Sequence, residues 1–118
     1  VGTVAIMPND TESYPEDSYE NMIKFARDNN FSFQYLFDES QAVAKSYSAI
    51  CTPDFFCFDK NKELFYRGRL DNLKYKSKSS ISRKKELVDA FKLKVVNGLN
   101  VDKQYSSIGC SIKWKITK

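Results

Sequence analysis

The 118-residue chain contains no histidine. That absence excludes Ser-His-Asp and Cys-His catalysis and every imidazole-ligated metal site. Cysteine is scarce: Cys51, Cys57 and Cys110 are too few and too widely spaced for a four-ligand zinc site or a secreted disulfide scaffold. Redox chemistry or plain burial remain as their roles. No apolar run approaches the roughly 18 residues that a membrane-crossing helix needs, and no charged-then-apolar leader opens the chain. No membrane partner is expected, and no motif calls for a cofactor.

What is present suits one soluble domain over residues 1–118. Hydrophobic residues make up 42% and charged residues 29%, and nine Phe, seven Tyr and one Trp are spread along most of the length. A chain of this size buries enough surface to fold without disulfides, and the spread of large apolar side chains argues against disorder. Charge is divided unevenly. Up to residue 66 there are five basic and eleven acidic groups; beyond it there are fourteen basic and four acidic. The densest basic stretch holds Lys74, Lys76, Lys78, Arg83, Lys84 and Lys85 among serines. Such a patch can neutralise phosphates, but a solvated loop leading into a helix explains it better, so nucleic acid is not an expected partner. Asp10, Glu12, Glu16 and Asp17 cluster without the spacing of a calcium loop, and no metal site is predicted.

Val4-Ala5-Ile6-Met7, ended by Pro8-Asn9-Asp10, has the pattern of a strand buried on both faces. Asp17 or Ser18 can cap a helix whose Tyr19, Met22, Ile23 and Ala26 share one face and which stops near Asn29-Asn30. Residues 31–36 alternate as a brief strand, and Ser40 can cap a helix from Gln41 to about Tyr47. Asp54 to Asp59 and Glu63 to Arg69 are strands separated by Lys60-Asn61-Lys62, an antiparallel hairpin. A third helix is expected from about Ser82 to Asn97, where Leu87, Val88, Phe91 and Val95 form an apolar face and Gly98 a stop. The tail through Trp114 lacks periodicity, and Trp114, Tyr105 and Ile112 are expected to cover the core. This order predicts an α/β fold, mostly parallel with an antiparallel hairpin.

Pro53 is the most informative position. It cannot donate to a ladder, so it marks a strand's start or an edge. Preceded by Thr52, it could equally hold a cis or a trans peptide.

The runs YPEDSYENMIKFA, YLFDESQAVAKSYSAICTPDFFCFDKNKELFYRGRLDN and SSIGCSIKWK resemble thioredoxin-like proteins of the redoxin group, related to alkyl hydroperoxide reductase and thiol-specific antioxidant proteins. Thr-Pro before an aromatic strand is shared widely among thioredoxin folds, whereas Cys-Thr-Pro-Asp-Phe-Phe and Gly-Cys-Ser-Ile-Lys-Trp are narrower. The resemblance implies a thioredoxin-like fold with Pro53 as the cis-proline facing a reactive cysteine. That cysteine would begin a helix, where the helix N-terminus lowers its pKa. The strand and helix carrying it would precede Val1, so the chain reads as an N-terminally incomplete or processed piece, inactive alone and folding poorly without a central strand between Val4–Met7 and Asp54–Asp59.

In that frame Thr52 and Pro53 form the substrate wall. Cys51 is a candidate resolving thiol or a small buried residue, and Cys110 is a second resolving candidate in an accessible tail; Cys57, between two phenylalanines, is expected to be buried. Peroxiredoxins place an arginine where Thr52 stands, which makes the site more thioredoxin-like than peroxidatic; Arg67 and Arg69 are expected at the surface. The implied partners are a protein disulfide or a peroxide as substrate and a thiol reductant, self-association into a homo-oligomer is compatible with them, and unpaired cysteines suit the cytoplasm. A rival reading is a non-catalytic thioredoxin-fold module that holds extended peptides at the Pro53 edge.

Overall fold

Val4–Met7 forms the first strand, β1, and pairs in parallel with β2, Gln34–Phe37, in a register that sets Val4 opposite Gln34 and Met7 opposite Phe37. The structure, a computed structural model, describes residues 1–72 and 84–116. Its contacts gather into two units, one comprising Val1–Ile50 with Ser111–Lys118 and the other Cys51–Cys110.

In the first unit, a 3-10 turn at Pro15–Asp17 leads into α1, Tyr19–Asp28. Of the two expected caps, Ser18 performs the role: its hydroxyl accepts the Asn21 N–H at 3.3 Å. The helix ends where predicted, with Asn29 Nδ2 donating to the Phe25 carbonyl at 2.8 Å and Asn30 in the left-handed region at φ 54°. Its apolar face is less covered than the spacing suggested. Met22 is buried, but Tyr19 and Ile23 are half exposed and line an open groove of about 300 Å³ with Phe31, Phe33 and Tyr35. Phe31 and Phe33 belong to this aromatic group, stacked at 4.6 Å, and β2 itself starts only at Gln34.

The prediction that β1 is buried on both faces is corrected: only Met7 is buried, while Val4 and Ile6 are exposed. Among the described residues β1 has one ladder partner, β2, and α1 packs on β2. The helix after β2 is α2, Ala42–Ser46. Asp38 holds its first turn, accepting the N–H groups of Val43 and Ala44 at 3.3 and 2.8 Å, while the expected cap Ser40 accepts only from Ala42. Gln41, at φ 64°, is fully buried. Its Nε2 donates to the carbonyls of Pro8 (2.7 Å) and Lys113 (3.0 Å), and its Oε1 accepts from the Lys115 N–H. Asn9 Oδ1 adds a bond from the Lys113 N–H at 2.9 Å. The aperiodic tail is thus held by polar groups, with Ile112 buried as expected and Trp114 left partly exposed beneath Lys45.

The second unit contains the hairpin. β4, Phe55–Phe58, and β5, Leu64–Gly68, run antiparallel with Phe55 opposite Gly68 and Cys57 opposite Tyr66, and a bulge falls between Cys57 and Phe58. Asp59 builds the connection by accepting the N–H groups of Asn61 and Glu63 on Oδ1. Phe65, Tyr66 and Ala90 form the core, with Cys57, Leu87, Phe91 and Val101 packed on it. The third helix is shorter than predicted: α3 is Glu86–Phe91, continued by π-helical turns over Lys92–Val96. The basic stretch from Lys74 to Arg83 lies outside the described residues.

Two short strands were not foreseen. β3, Cys51–Thr52, pairs with β6, Cys110–Ser111. The fold is α/β, with a parallel pair, β1–β2, in the first unit and an antiparallel hairpin, β4–β5, in the second. No helix among the described residues is long and apolar enough to cross a membrane.

Candidate functional site

Four predicted site residues meet in the second unit. Cys51 and Thr52 form β3, Pro53 follows with a cis Thr52–Pro53 peptide, and Cys110 stands on the paired strand. Proline suits this place because a residue leaving a ladder needs no N–H for it. Cys51 and Thr52 are half buried, whereas Pro53 and Cys110 are exposed. All three cysteines are free thiols.

Beside the proline lies a charged group that the sequence left unassigned. The Asp54 side chain is only 6% exposed. It takes a bond from the Ser107 hydroxyl at 2.6 Å on Oδ1, and Arg67 Nη2 approaches Oδ2 at 3.2 Å. The Arg67 guanidinium also lies 4.9 Å from the centre of the Phe56 ring. Arg67 and Arg69 are therefore not simple surface groups, as predicted, but partners of buried carboxylates: Arg69 grips Glu86 through Nε at 2.8 Å and through Nη2. Register explains the first of these pairs. Arg67 stands opposite Phe56 on the hairpin, two residues beyond Asp54.

These neighbours set the chemistry of Cys51. Burial pushes its thiol up from the ordinary value, Asp54 pushes the same way, and Arg67 partly opposes them. Burial alone raises Cys57, which packs on the core. A thiol held protonated near neutral pH is a slow attacking group in any exchange step. Exposed Cys110 is accordingly expected to react first with iodoacetamide at about pH 7, with Cys51 and Cys57 trailing and still accelerating above the usual thiol range near 8.5. Mass-resolved labelling across pH checks this; preferential labelling of Cys51 at neutral pH would contradict it.

Sequence reasoning missed Asp54, Ser107 and Gly109. The acid immediately after Thr-Pro, followed by two phenylalanines, was the available signal for Asp54, since a carboxylate entering an aromatic strand needs a partner. Nothing local marked Ser107, which lies 53 residues away from Asp54. Among the described residues, no three His, Cys, Asp or Glu side chains are grouped to hold a metal ion.

No protein-family model matches the chain, and no curated protein matches it. Crystal structures similar to the chain include the following two. One is an uncharacterized conserved protein from Geobacillus kaustophilus, 45% identical, with a TM-score of 0.87 over 100% of this chain and 62% of that one. The other is a hypothetical protein from Sinorhizobium meliloti 1021, 35% identical, with a TM-score of 0.86 over 98% of this chain and 63% of that one. The chain thus spans less than two thirds of either protein.

Proposed function

We propose that the chain is part of a thioredoxin-like redox protein of the redoxin group, which exchanges thiols with disulfides or reduces peroxide. The nucleophilic cysteine lies upstream of Val1 in this reading, and Thr52–Pro53 forms the wall it faces. One observation carries the proposal: two free thiols, Cys51 and Cys110, stand on paired strands at the Pro53 turn, although 59 positions separate them in sequence. The upstream thiolate attacks the substrate, and a resolving thiol then attacks the oxidised sulfur, forming a protein disulfide that a thiol reductant reopens. Cys51, raised by burial and by Asp54, is disfavoured for the first attack, which this reading gives to the upstream cysteine. Free cysteines fit a reducing compartment, and cytoplasmic location is part of the proposal. The rival reading, capture of extended peptides at the Pro53 edge, requires an open strand edge, and the pairing of β3 with β6 works against it.

Insulin reduction and peroxide consumption test the proposal on the 118-residue chain and on an N-terminally extended form. Activity is expected only in the extended form, with Cys51→Ser or Cys110→Ser trapping the oxidised intermediate. If the extended form is silent in both assays, the redox reading is wrong.

A further inference from the structure

One edge of β3 is paired by the chain itself, through β6. Gly109, the residue before β6, lies so near the Pro53 turn that a Cβ there would stand 1.9 Å from the Thr52 carbonyl oxygen and 3.1 Å from Pro53 Cδ. Only glycine permits that approach. The segment leading to it is fastened at intervals. Gln104 accepts the Arg67 N–H on Oε1 at 2.7 Å and donates from Nε2 to the Phe65 carbonyl at 3.1 Å. The Tyr105 carbonyl accepts the Arg69 N–H at 2.9 Å, over Gly68, which at φ 147° leaves no room for a side chain. Ser107 donates to buried Asp54 at 2.6 Å. Five successive contacts therefore tie one stretch of chain to β5 and to the Pro53 turn.

We infer that residues 104–110 are a built-in strap filling one strand edge at Thr52, so that the site takes a small disulfide or peroxide ahead of an extended polypeptide strand. A polypeptide recognised by strand addition needs free N–H and C=O groups on that edge, and specificity pockets beside it. The strap supplies its own strand there. A small disulfide needs only a reachable thiol. Asp54 is in this view a positioning residue: its carboxylate holds Ser107, and so the strap, against the turn. The substrate class rests on the redox reading above, whereas the occupied edge does not.

The test presents two disulfides of the same chemistry to the reduced protein, as the 118-residue chain and in its N-terminally extended form: glutathione disulfide, and an extended peptide whose central cysteine carries glutathione. In each case a protein thiolate attacks one sulfur, a new protein S–S bond forms as the old one breaks, and the departing thiolate takes up a proton. Intact mass reports the adducts. The wild-type chain is expected to react with glutathione disulfide well ahead of the peptide. Ser107→Ala, which removes one charge-assisted bond, is expected to raise the peptide rate relative to the glutathione rate by about tenfold, and Gly109→Val by at least as much. Ser107→Ala keeps the test decisive if the bulkier variant fails to fold. Equal rates for both disulfides in wild type, or a ratio unmoved by Ser107→Ala, would overturn the strap. An extended protein silent toward insulin and peroxide would instead remove the redox reading and leave that ratio to decide the edge.

Discussion

Arg69→Met is expected to lower the unfolding free energy by about 3 kcal/mol, because it strands a buried carboxylate. Glu86 is 6% exposed, and both Arg69 contacts fall on its Oε1. Among the described residues its Oε2 has no hydrogen-bond partner. The carboxylate thus depends on one guanidinium, itself stacked 5.3 Å from the Tyr105 ring centre. Methionine fills much of the arginine's volume but supplies neither charge nor donors. The same carboxylate contributes, after burial, to holding the Tyr66 hydroxyl up at about 12. Replacing both partners, in Arg69→Met/Glu86→Met, is expected to cost less than the single change, since the desolvation penalty disappears with the second charge. Urea unfolding of the chain, or of an N-terminally extended form, measures both. A single variant within about 0.5 kcal/mol of wild type would mean that the pair behaves as an exposed bridge.

Gln41→Ala is expected to cost about 2–3 kcal/mol, from three lost hydrogen bonds and a small cavity. The amide is fully buried, with its NH2 group facing two carbonyls and its oxygen facing one N–H. Gln41→Glu makes the sharper test. An ionised carboxylate has no donor for the Pro8 and Lys113 carbonyls, so the folded state favours the protonated acid and its pKa rises above the unfolded value of about 4.3. The added loss is then absent below that value and grows as pH rises through the window up to the folded pKa. Stability of Gln41→Glu relative to wild type, followed by urea midpoint from about pH 4 to about pH 7, is expected to fall with rising pH. A flat profile would show that the amide donors do not support the tail.

Much of the local structure was legible because it depends on neighbours in sequence. Ser18 at a helix start, Asn29-Asn30 at its end and Lys60-Asn61-Lys62 between two strands each act within a few residues. The errors arose where a group outside the expected cap position or far along the chain prevails. Asp38, rather than Ser40, holds α2 because a carboxylate offers two acceptors to two successive N–H groups. β1 reads as doubly buried from its apolar run, but composition cannot say how many ladder partners a strand has. Arg67 and Arg69 read as surface groups because local pattern carries no sign of the carboxylates that meet them.

The absence of histidine and the scarcity of cysteine, by themselves, excluded histidine-dependent catalysis, imidazole-ligated metal sites and a disulfide scaffold. Local pattern also gave the α/β class and singled out Pro53, whose peptide bond with Thr52 is cis. Only the tertiary structure decided that Cys110 returns to the strand of Cys51, that Asp54 finds Ser107 and Arg67, and that Gly109 closes the edge beside Thr52. These partners are separated by 13 to 59 positions. Backbone pairing and burial bring them together through long-range closure of the chain, on which periodicity and spacing carry no information.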